Sequence, residues 1–93
     1  MVVDFDKRFL LDIKSIRDSE VRERIVKIIQ HVKKAENISA IDNLKKLERY
    51  AVYFRIKIKL DAKRDYRIGI IIRGNKIWFV RCLQRNKIYK QFP

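Results

Sequence analysis

Breakers are scarce in this chain: two glycines and one proline in 93 residues. So few leave no place for a flexible linker or a low-complexity tail, and no internal repeat is present. Cysteine is scarcer still. One cysteine excludes an internal disulfide and suits a reducing compartment, which points to the cytoplasm. One cysteine and one histidine are too few for the usual four-ligand zinc site, so no metal or other cofactor is expected. No phosphate-cradling glycine loop occurs. Uncharged runs are short, Ile68–Ile72 being as long as any, which leaves no membrane span; no signal peptide or lipidation motif is seen either. Acidic residues are missing from one half. Residues 1–52 carry 12 basic and 9 acidic side chains, whereas residues 53–93 carry 12 basic and 2 acidic. The formal net charge of +13 therefore resides mostly in the second half, which suggests a polyanion as partner.

What the second half does contain is alternation. In Tyr53–Leu60, Phe54, Ile56, Ile58 and Leu60 point one way, while Tyr53, Arg55, Lys57 and Lys59 point the other. Two more strands are expected at Tyr66–Arg73 and Lys76–Leu83. Gly74-Asn75 reads as a two-residue hairpin loop, pairing Arg73 with Lys76 and Gly69 with Val80. A five-residue connection, Asp61 to Asp65, pairs Leu60 with Tyr66 and so Lys59 with Arg67. Opposed residues share a face. One face then holds the isoleucines, and the other holds Arg55, Lys57, Lys59, Arg67, Gly69, Ile71, Trp78 and Val80, with Cys82 on the same side. A cationic surface gathered on one face argues against charge kept only for solubility.

The first half reads as helices. Met1–Phe5 is a candidate edge strand. Asp6 is a candidate N-cap for a helix ending near Arg17, and Asp18 or Ser19 for a second one ending at Asn37. Val21, Ile25, Ile28, Ile29, Val32 and Ala35 make a narrow apolar stripe, with His31 at its edge in a structural role. Ile38, Ile41, Leu44 and Leu47 suggest a packed helical turn, and Ile88, Tyr89 and Phe92 a last turn folding back on the sheet. The expected architecture is α+β: one domain over residues 1–93, two N-terminal antiparallel helices on the isoleucine face of a small antiparallel sheet, and the basic face open.

Lys, Arg and Tyr suit one reaction well, the cleavage of RNA by its own 2′-hydroxyl. The nucleophile is in the substrate, so the protein need only hold the backbone, neutralise the charge of the phosphorane and help protons move. An arginine fork neutralises charge bidentately. A lysine crowded by like charges, or a tyrosine such as Tyr89, can move protons.

NLKKL at 43–47, YFRIKIKL at 53–60, DYRIGIII at 65–72 and WFVRCLQRNKIYKQFP at 78–93 together resemble the RelE/ParE superfamily of toxins from toxin–antitoxin systems, and RelE-like mRNA endoribonucleases most of all. The resemblance covers almost the whole chain. It implies a RelE-like microbial RNase fold and metal-independent cleavage of mRNA, ribosome-bound, in the decoding site. It also implies inhibition of translation and neutralisation by a small antitoxin in a hetero-oligomer. Carried over by position, the catalytic set is Lys57, Lys59, Arg67, Arg85 and Tyr89, with Arg55 and Lys57 as the alternative first pair because the Asp61–Asp65 turn is long. Arg55, Arg73, Lys76 and Trp78 are the expected RNA-binding residues around it. Gln84 stands where many relatives have histidine, so any base role for that residue is absent. The competing reading is a ParE-like toxin that binds DNA gyrase and cuts nothing.

Overall fold

The computed structural model describes residues 1–93 as a mixed five-stranded sheet in the order β1-β5-β4-β3-β2. The strands are β1 (Val2–Phe5), β2 (Leu44–Lys46), β3 (Tyr53–Lys59), β4 (Asp65–Arg73) and β5 (Lys76–Gln84). The helices are α1 (Lys7–Ser15), α2 (Ser19–Lys34) and α3 (Arg85–Gln91). The α+β architecture is as the sequence patterning implies, and β1 is the edge strand, running parallel to β5. Leu44–Lys46 is the exception. It is a strand on the other edge, where a helical turn was expected; only Ile38–Ala40 coils, as a short 3-10 turn. His31 pins that turn to α2, its Nε2 lying 3.1 Å from the Ala40 carbonyl.

Both long helices begin where an aspartate satisfies free backbone N–H groups. Asp6 accepts from the Arg8 N–H at 2.8 Å, and Asp18 from those of Glu20 and Val21 at 3.0 and 3.2 Å. Phe9 of α1 and Val21, Ile25 and Val32 of α2 are buried against Ile56, Ile58, Ile68, Ile70, Ile72, Ile77 and Phe79. That is the isoleucine face read from the alternation. A smaller apolar group sits on the opposite face, where α3 folds back: Leu47, Val80, Ile88 and Phe92, flanked by Tyr53, Ile71, Trp78 and Leu83. The basic face is therefore covered at one part and open at the rest.

Two registers differ from expectation. The turn between β3 and β4 is built by Asp61, whose carboxylate accepts the N–H groups of Lys63 and Arg64 at 3.0 and 2.9 Å. Leu60 closes it by donating to the Arg64 carbonyl, so Leu60 belongs to the turn and Lys59 faces Asp65. The pairing slips by two residues: Lys57, not Lys59, lies opposite Arg67, and Arg55 opposite Gly69. Because the slip is even, every side chain keeps its face. On the other side of β4, a bulge after Phe79 sets Gly69 against Arg81 rather than Val80. Past the bulge the alternation is reset, and Cys82 enters the main core instead of the basic face. Burial pushes its thiol up to about 12, so it is an inert packing group. Asp12 of α1 ties this bulge down. Its carboxylate receives Arg81 Nε and Nη2 at 2.8 and 3.1 Å and the Cys82 N–H at 2.9 Å.

Candidate active site

The face opposite the main core is set by two rows of directly opposed residues. Lys57 faces Arg67 across β3 and β4, while Lys45 of β2 faces Arg55, which faces Gly69. Like charges set opposite one another weaken a sheet. A face selected for stability alone would not hold Lys57 against Arg67 and Lys45 against Arg55, so these pairs point to a ligand of opposite sign.

α3 completes the site. Its buried Ile88 and the following Phe92 pack down on the sheet, and Tyr89, on the same helix, overhangs the cations. Gly69 makes this possible. A Cβ there would lie 2.7 Å from the Phe92 ring, so only glycine lets the ring sit on β4. The space over Gly69 thus belongs to Phe92 and not to a ligand.

The resulting cleft has a volume of about 510 Å³ and is lined by Asn43, Leu44, Lys45, Arg55, Lys57, Arg67 and Tyr89. The Arg55 guanidinium lies over the Tyr89 ring, 4.6 Å from its centre. Arg85 Nε donates to the Tyr89 hydroxyl oxygen at 3.1 Å. This bond, seconded by the charges of Arg85, Arg67 and Arg55, lowers the Tyr89 phenol below its ordinary value. The same bond raises Arg85. Arg67 is half held from within the protein: its Nη1 pairs with the Asp65 carboxylate and donates to the Tyr66 carbonyl at 3.0 Å. Its Nε and Nη2 make no hydrogen bond to the protein and remain for a ligand.

Of the residues singled out in the sequence, Arg55, Lys57, Arg67 and Tyr89 come together, with Arg85 bound to Tyr89 from outside the lining. Lys59 does not join them. It faces an adjoining hollow shared with Arg24, Asn43, Lys57 and Asp61. Arg55 and Lys57 are thus the cationic pair beside Arg67. Arg73 and Lys76 lie at the far end of the β4–β5 hairpin, about 20 Å from Arg67 along the strand, and Trp78, opposite Ile71, about 14 Å from it. There Lys76 Nζ bridges to Asp4 at 3.6 Å and rests over the Trp78 ring, which packs on the apolar group under α3. Asn43 and Lys45 are lining residues that sequence reasoning missed. Their signal was the NLKKL stretch at 43–47, whose leucines read as a helical turn because three residues of edge strand are too short to alternate visibly. No group of three or more His, Cys, Asp and Glu side chains is gathered as a metal site, and no helix is long and apolar enough to cross a membrane.

No family model matches the chain. Toxin RelE3 of Methanocaldococcus jannaschii is 35% identical over 94 residues, covering 100% of both chains. A chain of the RelB–RelE antitoxin–toxin complex from Methanococcus jannaschii superposes with a TM-score of 0.77 at 33% identity, over 97% of this chain and 99% of that one. A chain of the intact RelBE toxin–antitoxin complex of E. coli shares the fold, with a TM-score of 0.68 at 24% identity over 89% of this chain and 94% of that one. The α+β sheet with its cationic cleft is thus a toxin fold of the kind found in toxin–antitoxin complexes. On its full-length identity to a RelE toxin, the chain belongs to the RelE family of toxins.

Proposed function

We propose that the protein is the endoribonuclease toxin of a toxin–antitoxin pair, cutting ribosome-bound mRNA in the cytoplasm. The observation that carries this reading is the convergence of Lys57, Arg67 and Tyr89 on one cleft, walled by Arg55 and Lys45. The scissile phosphate sits between Arg67 and Lys57. Lys57 takes the proton of the 2′-hydroxyl, whose oxygen attacks the adjacent phosphorus. The unengaged Nε and Nη2 of Arg67 receive the phosphorane oxygens, and those bonds strengthen as charge accumulates. The bond to the 5′-oxygen breaks, and that oxygen takes the proton of Tyr89. The products are a 2′,3′-cyclic phosphate and a free 5′-hydroxyl. The direction of the Arg85–Tyr89 bond supports the acid role: the phenol oxygen accepts from Arg85, which leaves its own O–H free to donate, and the guanidinium then steadies the phenolate. Every group in this sequence of steps is a side chain of the protein or an atom of the RNA. The gyrase-binding alternative gains no support from a cleft that keeps a complete Lys, Arg and Tyr set.

The toxins' solved assemblies with RelB support a partner antitoxin, here a small protein with an acidic, amphipathic segment lying over helices and sheet in a hetero-oligomer. The test is primer extension on mRNA in a translating extract. Discrete cuts with the wild type, absent with Tyr89→Phe combined with Arg67→Ala, are expected. Intact mRNA with a folded wild-type toxin would sink the reading.

A further inference from the structure

The row of side chains that enters the cleft continues beyond it. Lys57, Arg55 and Tyr53 occupy alternate positions of β3 and share one face, about 7 Å apart. That step is comparable to the distance between successive phosphates of an extended single strand. After Arg55 the row turns aromatic. Phe92 is buried under α3; Tyr53, half-buried, meets it edge to face at 5.5 Å; Tyr50 meets Tyr53 edge to face at 5.3 Å. Exposure rises along this series, and Tyr50, at its end, is 44% exposed. A T-shaped contact covers at most one face of the Tyr50 ring.

The loop that carries Tyr50 is built to hold it. The Leu47 N–H donates to the Tyr53 carbonyl at 2.9 Å, and the Tyr50 N–H to the Leu47 carbonyl at 3.4 Å, so the turn is tied across its base. Within it Arg49 stands at φ 71, a left-handed conformation that an arginine adopts only at a cost. The surface of this loop is a shallow hollow lined by Lys46, Leu47, Glu48, Arg49, Tyr50 and Ala51. Two cations and one acid surround the ring. A ring face beside cations, in line with a cationic groove, is what binds single-stranded nucleic acid without reading its sequence: the groove takes phosphates and the ring takes a base.

We infer that Tyr50 is a stacking platform for a base of single-stranded RNA whose backbone runs along Lys57 and Arg55, with Arg49 holding a phosphate that flanks that base. This rests on the RNA substrate argued above and extends the footprint past the scissile phosphate. The platform has no base-edge readout, so it lengthens the grip on the strand without choosing its sequence.

The measurement is fluorescence anisotropy with a dye-labelled 2′-O-methyl oligoribonucleotide, which lacks the nucleophile and cannot be cut. At low salt, Tyr50→Ala should weaken binding roughly 5- to 100-fold, while Tyr50→Phe keeps it and Tyr50→Trp tightens it. The dependence of log K on log salt should be unchanged in Tyr50→Ala, because no phosphate contact is lost. It should flatten by about 0.7 in Arg49→Gln. Wild-type affinity in Tyr50→Ala overturns the platform, as does equal weakening in Tyr50→Phe or a wild type that binds no oligonucleotide. A wild type that binds with the expected Tyr50 dependence but leaves mRNA intact in translating extracts upholds the platform and overturns the nuclease.

Discussion

Arg67 is held from two sides, and this separates its chemistry from its structural role. Its Nη1 is bound to Asp65 with both side chains mostly buried, at 11% and 16% exposure, so Arg67→Ala strands a shielded carboxylate and destabilises as well as disarms. Arg67→Lys keeps a cation beside Asp65 and loses the fork. The lysine variant is expected to bind antitoxin normally and to cleave about 10²–10³-fold more slowly, read in single-turnover cleavage beside a thermal melt. Tyr89 gives a test in pH. As the proposed acid it must be protonated, and Arg85 holds its phenol below the ordinary value of 10.0. The rate should therefore fall as pH rises through the phenol's pKa. In Arg85→Ala the falling limb should move to higher pH, and in Tyr89→Phe that limb should vanish. A limb that stays in place in Arg85→Ala would remove Tyr89 from the proton transfer.

α3 and β4 work as a unit, joined where Phe92 lies on Gly69. Adding a methyl to Gly69 places a carbon 2.7 Å from the ring, so Gly69→Ala must displace Phe92 and with it the helix that carries Tyr89 and Arg85. The expected cost is about 1–3 kcal/mol in urea unfolding. Activity should fall further than that loss explains. Phe92→Ala should cancel part of the stability penalty of Gly69→Ala in a double-mutant cycle, since the clash then has no partner. What was legible in the sequence follows the strength of each pattern. β3 alternates over seven residues, so its faces could be read, as could the caps Asp6 and Asp18. Its register could not, because the count of residues in the turn depends on the Asp61 side chain bonding backbone N–H groups, a tertiary detail absent from hydrophobic period. Cys82 was misplaced for a related reason: a bulge adds one residue, which alternation counts as a change of face. Gly69 could be placed on the basic face, yet only the folded α3 reveals that Phe92 fills the space over it.

For the molecule as a whole, charge sets both its partner and its acid limit. With a net charge of +13, binding of an acidic antitoxin should weaken steeply between low and high salt; affinity independent of salt would mean that apolar contacts alone hold the complex. Asp6, Asp18 and Asp61 are all held below the ordinary carboxylate value of 3.8, the first by the Arg8 side chain, the second by the Val21 N–H, the third by Arg64. A depressed folded pKa contributes stability that is present above the ordinary value and is lost as pH falls through the folded one. The melting midpoint should thus hold above about pH 4 and drop below it, and the drop should be shallower in Arg64→Met, which releases Asp61.

The placement of β1 has a consequence for how the toxin is made. Val2–Phe5 pairs with Lys76–Phe79, so the first strand to leave the ribosome finds its neighbour only after β3 and β4 have emerged. α1, anchored through Asp12 to Arg81 and Cys82, waits for the same strand. Tyr89 comes later still. A nascent chain therefore carries Lys57 and Arg67 before the side chain that completes the cleft, and on the proposed mechanism it cannot yet cut RNA. On that reading, closure of the cleft is the last event of synthesis, so the proposed antitoxin has the whole of elongation in which to be made.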